Sequence, residues 1–385
     1  MNDRHPPELL ESDDRTGSSA GRKRNGGGER LRSDLLKTVS FKTLSQFTAE
    51  YVPLAYTVDP IIRGGSLYTL TARTGHGKTG FLVIVALAIA TGRRDLLNLD
   101  VERGRVAYLT AENPDDARMR FMIACFLLNI DFDEASDHIV ILDRREKPED
   151  IVAGIKKLAA RAPFAAVLMD TLAAFFDGKD TNDAVEGGDF LRRVRPLTMI
   201  EGRPAVVVAA HPVKNAAADN LLPYGSGAIL NEVDGNLTLW LQSSTGFISL
   251  HWQGKIRSLD FEPLIFRIEI AGSPDVVDAK GRQVQLPTLR PATAEDEDER
   301  EKVSADRDKK LLMAMHADPG GTVRDWATAA SLSKSAIERT LNRLAKPASD
   351  KLVKNSLGKW SLTNTGFDAI GADRPAAKKR EKKAQ

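Results

Sequence analysis

The stretch Ala72-Arg73-Thr74-Gly75-His76-Gly77-Lys78-Thr79 constrains this chain more than any other. It follows the apolar run Ser66–Ala72 and leads into a second one, Phe81–Ala90. A glycine-rich turn between a buried strand and a helix gathers backbone N–H groups and a helix N-terminus at one point, which attracts phosphate. Lys78 can reach β- and γ-phosphate oxygens, and the Thr79 hydroxyl can ligate Mg²⁺. Ala72 stands where such loops more often carry glycine, a change that leaves the cradle intact. The expected ligand is MgATP, with residues 72–79 and Gly80 as its contacts.

The flanking pattern predicts the fold class. Arg105–Thr110, His138–Leu142, Phe164–Met169 and Pro204–Ala210 are short apolar runs, separated by helical segments such as Pro114–Leu128 and Glu149–Ala160. Strands that are apolar throughout, alternating with helices, imply an α/β fold with a mostly parallel sheet covered on both faces. After Asn231 the runs Asn236–Leu241, Phe247–Trp252 and Phe266–Ile270 follow quickly, as an antiparallel extension does. The expected domains are a disordered basic tail (1–40), the α/β core (41–271), a Pro-containing acidic linker (272–305), a small helical module (306–372) and a basic tail (373–385).

Composition narrows the class without choosing the partner. A chain of 385 residues that is 42% hydrophobic can bury a large core, and a net charge of +2 does not demand nucleic acid. The basic residues gather at the ends, from Arg15 to Lys37 and from Lys378 to Lys383, where they either track phosphates or merely solubilise. The single cysteine, Cys125, excludes a disulfide framework and points to the cytoplasm. The N-terminus has no apolar signal segment, and Phe81–Ala90 is too short to span a bilayer, so no membrane partner is expected.

Four further positions complete a candidate hydrolytic site. Asp170 ends the third apolar strand, where it either holds Mg²⁺ through water or caps the helix after Thr171. Glu112, in Thr110-Ala111-Glu112-Asn113-Pro114, is the candidate that orients and activates the attacking water, since no second acid follows Asp170. His211 ends the fourth strand and can sense the γ-phosphate. Lys255 and Arg257, after the run Phe247–Gln253, are either cations acting on a neighbouring subunit's nucleotide or solvated strand-end charges.

The Ala-Glu after the second strand, the lone Asp170, and His211-Pro-Val-Lys214 followed by Gly225-Ser-Gly-Ala-Ile-Leu resemble the RecA-like ATPases of the plasmid RepA replicative-helicase family. The resemblance covers about residues 60–270. It implies a RecA-like P-loop core, a homo-oligomer such as a hexameric ring, hydrolysis at subunit interfaces and single-stranded DNA in a central channel. Under it Lys78 and Thr79 match the P-loop, Glu112 the catalytic acid, Asp170 the Mg²⁺ site and His211 the sensor. The loops 175–188 and 212–227, with Lys179 and Lys214, would face DNA, or they are plain surface loops. Two departures stand out: Tyr224 replaces the arginine that commonly precedes the Gly-Ser pair, and Asp234 lies where an interface arginine is expected. The pair Lys255 and Arg257 resembles the trans-acting pair of RecA and DnaB-type proteins.

The C-terminal module reads as three helices and a hairpin. Leu311, Leu312 and Met315 mark the first helix, and Thr322-Val-Arg-Asp325 is a capping box opening the second. Ile337, Leu341 and Leu344 share one face of the third, whose other face carries Lys334, Arg339 and Arg343. With the hairpin near Lys351–Leu362, this resembles a winged helix-turn-helix, binding duplex DNA through those cations or else binding protein. The functional expectation is an ATP-hydrolysing, DNA-associated motor such as a replicative helicase. The alternatives are an ATP-controlled DNA-binding regulator and a strand-exchange recombinase.

Overall fold

The computed structural model describes residues 42–374, apart from 181–182, 219, 225, 243–244 and 258–259. The expected basic tails, 1–40 and the part of 373–385 beyond Arg374, lie outside the described residues, as does Gly225. Residues 42–53 form a unit of their own: helix α1 (Leu44–Ala49), opened by a reciprocal cap between Thr43 and Gln46. The second unit runs from Leu54 onward.

The buried runs become one sheet. Strands β3 (Leu67–Thr71), β5 (Arg105–Thr110), β6 (Ile139–Leu142), β7 (Phe164–Asp170), β8 (Ala205–Ala210) and β9 (Gly235–Gln242) pair in parallel in the order β9-β3-β8-β7-β5-β6. Successive side chains serve opposite faces, so the strands feed two cores at once. Tyr68, Leu70, Val106, Tyr108, Ala166 and Leu168 pack on one side around helix α2 (Lys78–Thr91). Leu67, Ala107, Leu109, Val167 and Met169 pack on the other, against helices α5 (Pro148–Ala159) and α7 (Ala184–Val194). Helix α2 is buried along nearly its whole length, which explains why its sequence is apolar all round. A small separate sheet, β2-β1-β4, joins Ile62–Arg63, Tyr56–Asp59 and Asp100–Val101. Cys125 is buried on helix α3 (Pro114–Leu127), and burial pushes its thiol up to about 11.

The expected linker 272–305 is the main correction. Beyond β10 (Phe247–Ile256), strand β11 runs from Leu264 to Val277 and returns as β12 (Gln283–Pro291), extending the sheet by an antiparallel ribbon. The core therefore does not stop at 271. Leu289 of β12 is 1% exposed and packs against the phosphate loop, so a Cβ at Gly77 or Gly80 would meet its methyls at 3.1 and 2.8 Å. The acidic stretch is not a linker either, but the start of helix α9 (Ala294–Ala317). A capping box between Thr293 and Asp296 opens it, and acids in a first turn favour the helix dipole. Arg267 and Arg290 of the ribbon then neutralise Asp296 and Glu299. The part of the ribbon beyond Ile270 was concealed because polar residues interrupt its apolar ones, and what holds it is ladder hydrogen bonds, ion pairs and the buried side chains of Val276 and Leu289. Leu289→Ala should cost about 2–5 kcal/mol through the cavity it leaves. An unchanged urea midpoint would show that the ribbon does not pack on the loop.

Helices α9, α10 (Val323–Ala329) and α11 (Lys334–Leu344), hairpin β13–β14 (Val353–Ser356 and Lys359–Leu362) and α12 (Asn364–Ala369) surround a separate small core. Ile337, Leu341 and Leu344 all point into it, as their spacing expects, beside Leu311, Met315 and Trp326. Leu357 and Gly358 both take positive φ, the geometry of a two-residue hairpin turn.

Candidate functional site

Parallel strands ending in register set the site. The ladder pairs Thr71 with Ala210 and Thr110 with Asp170, so the residues just beyond these ends emerge along one edge of the sheet. Thr74, Gly75, Gly77, Lys78, Thr79, Gly80, Glu112, Asp170, Thr171 and His211 line one cavity there, of about 350 Å³. Gly75 and Gly77 hold φ of 79° and 86°, the left-handed region that lets the loop fold back without side-chain strain.

Lys78 is held at the mouth of the loop. Its Nζ donates to the carbonyls of Ala72 (2.6 Å) and Arg73 (3.2 Å) and lies 3.4 Å from His211 Nδ1. Burial pulls its ammonium down to about 8, while Asp170 and Glu112 push the other way. Burial, and then the Lys78 charge, also lower His211, so its imidazole is neutral near pH 7 and can accept at Nδ1. Lys78 must keep its proton to meet phosphate, and bound phosphate raises its pKa. MgATP affinity should therefore be level below pH about 8 and fall above it, approaching tenfold per unit. Lys78→Arg should remove the break; affinity titrated from about pH 7 to about pH 9.5 with no decline rejects this account.

Asp170 is 4% exposed. Tyr108 donates its hydroxyl to Asp170 Oδ2 (3.1 Å), whereas Oδ1 is buried without a hydrogen-bond partner. Burial raises the carboxyl, and the Thr79 and Tyr108 hydroxyls oppose that shift. A buried, unpartnered carboxylate oxygen beside a threonine hydroxyl is a fit donor set for Mg²⁺. Glu112 is exposed at the cavity wall, where the Thr171 hydroxyl donates to its Oε2 (3.2 Å).

Other expected contacts lie elsewhere. The side chains of Arg73 and His76 turn out of the cavity. Arg73 donates to the Ala216 carbonyl and sits over Trp240, and His76 Nδ1 accepts from the Leu241 N–H (3.2 Å). Ala72 is buried and contributes through its carbonyl. Lys255 donates to the carbonyls of Leu230 and Asn231, and Arg257 pairs with Asp234 at 2.8 Å. Asp234 in turn accepts from the Leu67 N–H at the start of β3. Lys255 and Arg257 therefore sit at the opposite edge of the sheet from their own chain's Lys78. Lys214 is exposed and lines a shallow cavity with His211, Tyr224 and Leu172.

The cations of α11 are not one free face. Lys334 lies 3.6 Å from Glu338, Arg343 pairs with Asp308 of α9, and Arg339 sits over Trp240 of the core. Sequence reasoning also passed over Asn113, Asp116 and Arg120, and over Ile268, Pro287 and Leu289, all of which line the same cavity as Lys78. The i,i+4 spacing of Asp116 and Arg120, directly after Glu112, was the available signal for the first group. Arg120 bonds both Asp116 (2.6 Å) and the Pro287 carbonyl (2.7 Å), so it joins α3 to the ribbon.

Residues 33–217 match a protein-family model described as an AAA domain. The match indicates a P-loop ATPase of the AAA/RecA-like kind, which implies nucleotide binding. No curated protein matches the chain. Among the described residues, no helix is long and apolar enough to cross a membrane.

Proposed function

We propose that this chain is a DNA-associated motor that hydrolyses ATP, a helicase or helicase-related ATPase acting in a homo-oligomer. The observation that carries the reading is the convergence of Lys78, Thr79, Glu112, Asp170 and His211 on one cavity. The loop N–H groups and Lys78 hold the triphosphate, and Asp170 with Thr79 would hold Mg²⁺, which offsets charge on the phosphates. Glu112, steadied by Thr171, takes a proton from the attacking water and orients it.

His211 supports a path from nucleotide to polymer. It touches Lys78 and begins the loop that carries Lys214. The far side of that loop is pinned to the sheet. Gln253 accepts from the Leu221 N–H (2.5 Å) and donates to the Ala218 carbonyl (2.6 Å). Asn236 donates to the Leu221 carbonyl (3.0 Å) while accepting from Thr69 and Thr71 of the strand before the phosphate loop. A change at the phosphates thus reaches the loop from both ends. Lys255 and Arg257, far from their own cavity, remain candidates for action on a neighbour's nucleotide.

ATP turnover with and without a mixed-sequence single strand tests the reading. Stimulation of about tenfold or more by any sequence is expected of a motor. No stimulation, together with tight binding to one duplex sequence, would favour an ATP-controlled DNA-binding regulator. That second reading draws support from Arg339 of α11, the helix expected to contact DNA, which rests on the core beside the phosphate loop.

A further inference from the structure

Trp240, on β9, touches two parts of the molecule that the functional reading treats separately. From the phosphate loop, Arg73 places its guanidinium carbon 5.2 Å from the indole centroid, and His76 meets the same ring edge-on at 5.1 Å. From α11 of the C-terminal module, Arg339 places its guanidinium carbon 5.8 Å from that centroid. Arg73 also holds the Ala216 carbonyl in the loop after β8. One half-buried ring therefore links the phosphate loop, the polymer loop and a helix whose cations are candidate DNA contacts.

We propose that Trp240 is the junction through which nucleotide and duplex DNA oppose one another: Arg339 seats on Trp240 when nucleotide is bound and must leave the ring to reach a duplex. The duplex half rests on the DNA reading above, and the nucleotide half does not. Two guanidinium groups share the ring, so the positive potential around it limits how firmly Arg339 seats. MgATP is an anion, and at the phosphate loop it offsets the charges of Lys78 and Arg73 close to the ring. The seat of Arg339 then becomes more favourable. Trp240 belongs to the core strand β9, so an Arg339 seated on it is turned toward the core and withheld from a duplex docked along α11. Linkage makes the effect reciprocal, with duplex loosening nucleotide to the same degree. One cation–π contact is enough to move such an equilibrium by roughly twofold to thirtyfold.

The test uses the full chain and a non-hydrolysable ATP analogue with Mg²⁺, its binding followed by calorimetry. Arg339→Gln should weaken analogue binding by about twofold to thirtyfold, and by nothing further in a Trp240→Leu background, where the contact between the two side chains is already gone. Trp240→Phe, which keeps a ring face, and Arg339→Lys, which keeps a cation, should each restore most of the coupling, as a merely structural defect would not. Arg339→Gln without effect on the analogue, or with the same effect in both backgrounds, overturns the junction. The second arm is a labelled duplex at fixed salt, in which the analogue should weaken binding to wild type but not to Trp240→Leu. If wild type binds no duplex while the analogue cycle shows coupling, the DNA reading fails and the nucleotide half of the junction stands. If duplex binds but ignores the analogue, the opposition is refuted.

Discussion

Glu112→Gln should bind MgATP nearly as tightly as wild type and hydrolyse it about a hundredfold more slowly or worse. The side chain stands at the cavity wall rather than in the core, and the Thr171 hydroxyl that donates to it can bond an amide oxygen equally well. Fold and cradle should therefore survive, while the carboxylate proposed to take a proton from water is lost. Single-turnover hydrolysis beside equilibrium binding separates the two effects. A variant that turns over at the wild-type rate would move the catalytic acid away from Glu112. Thr171→Val would then be the informative companion: if Thr171 acts by steadying Glu112, its loss should lower turnover less than the loss of Glu112 and add little to it.

Lys78→Ala should lose measurable MgATP binding and, with it, turnover. The ammonium sits among the loop carbonyls, 7% exposed, where it alone among the cavity-lining loop residues brings a full positive charge. Removing a buried charged group from a phosphate site typically costs more than its hydrogen bonds alone, since a desolvated cation faces the anion at low effective dielectric. The sheet should remain folded, because Lys78 contributes no apolar packing and the rest of α2 is held by Phe81 to Ala90. Circular dichroism with a thermal midpoint near wild type would show this. Tight MgATP binding by the folded variant would sink the phosphate-loop assignment.

The parallel strands and the edge where the candidate site residues meet were legible in the residues because their physics is local. Ser66–Ala72, Arg105–Thr110, Phe164–Met169 and Pro204–Ala210 are apolar runs that have no stable place except a doubly covered sheet, and four of them became β3, β5, β7 and β8. Once those strands run parallel, the residues after their C-terminal ends must share an edge. Lys78, Glu112, Asp170 and His211 therefore converge without any further information. The three apolar positions of α11 were equally readable, since a helix repeats them on one face. Of the ribbon β11–β12, only Phe266–Ile270 was. Its strands mix polar and apolar residues, and what places them is a long-range match: Leu289 against Gly77 and Gly80, and Arg267 and Arg290 against Asp296. A polar stretch has the same composition whether its partners lie far along the chain or are water.

The chain's own residue order thus decided where the candidate phosphate loop lies, which carboxylates stand beside it and which helix face is buried, because periodicity and strand ends act over a few residues. Only the tertiary structure decided where the cations point. Arg73 and Arg339 look from sequence like a ligand contact and a DNA contact, yet both lie over Trp240; Arg257 looks like a cation for a neighbour's nucleotide or a solvated charge, and in its own chain it pairs with Asp234. A long charged side chain settles on whichever anion, carbonyl or aromatic ring the packed backbone brings within about 6 Å. That choice is made by the meeting of distant segments, and no local pattern records it.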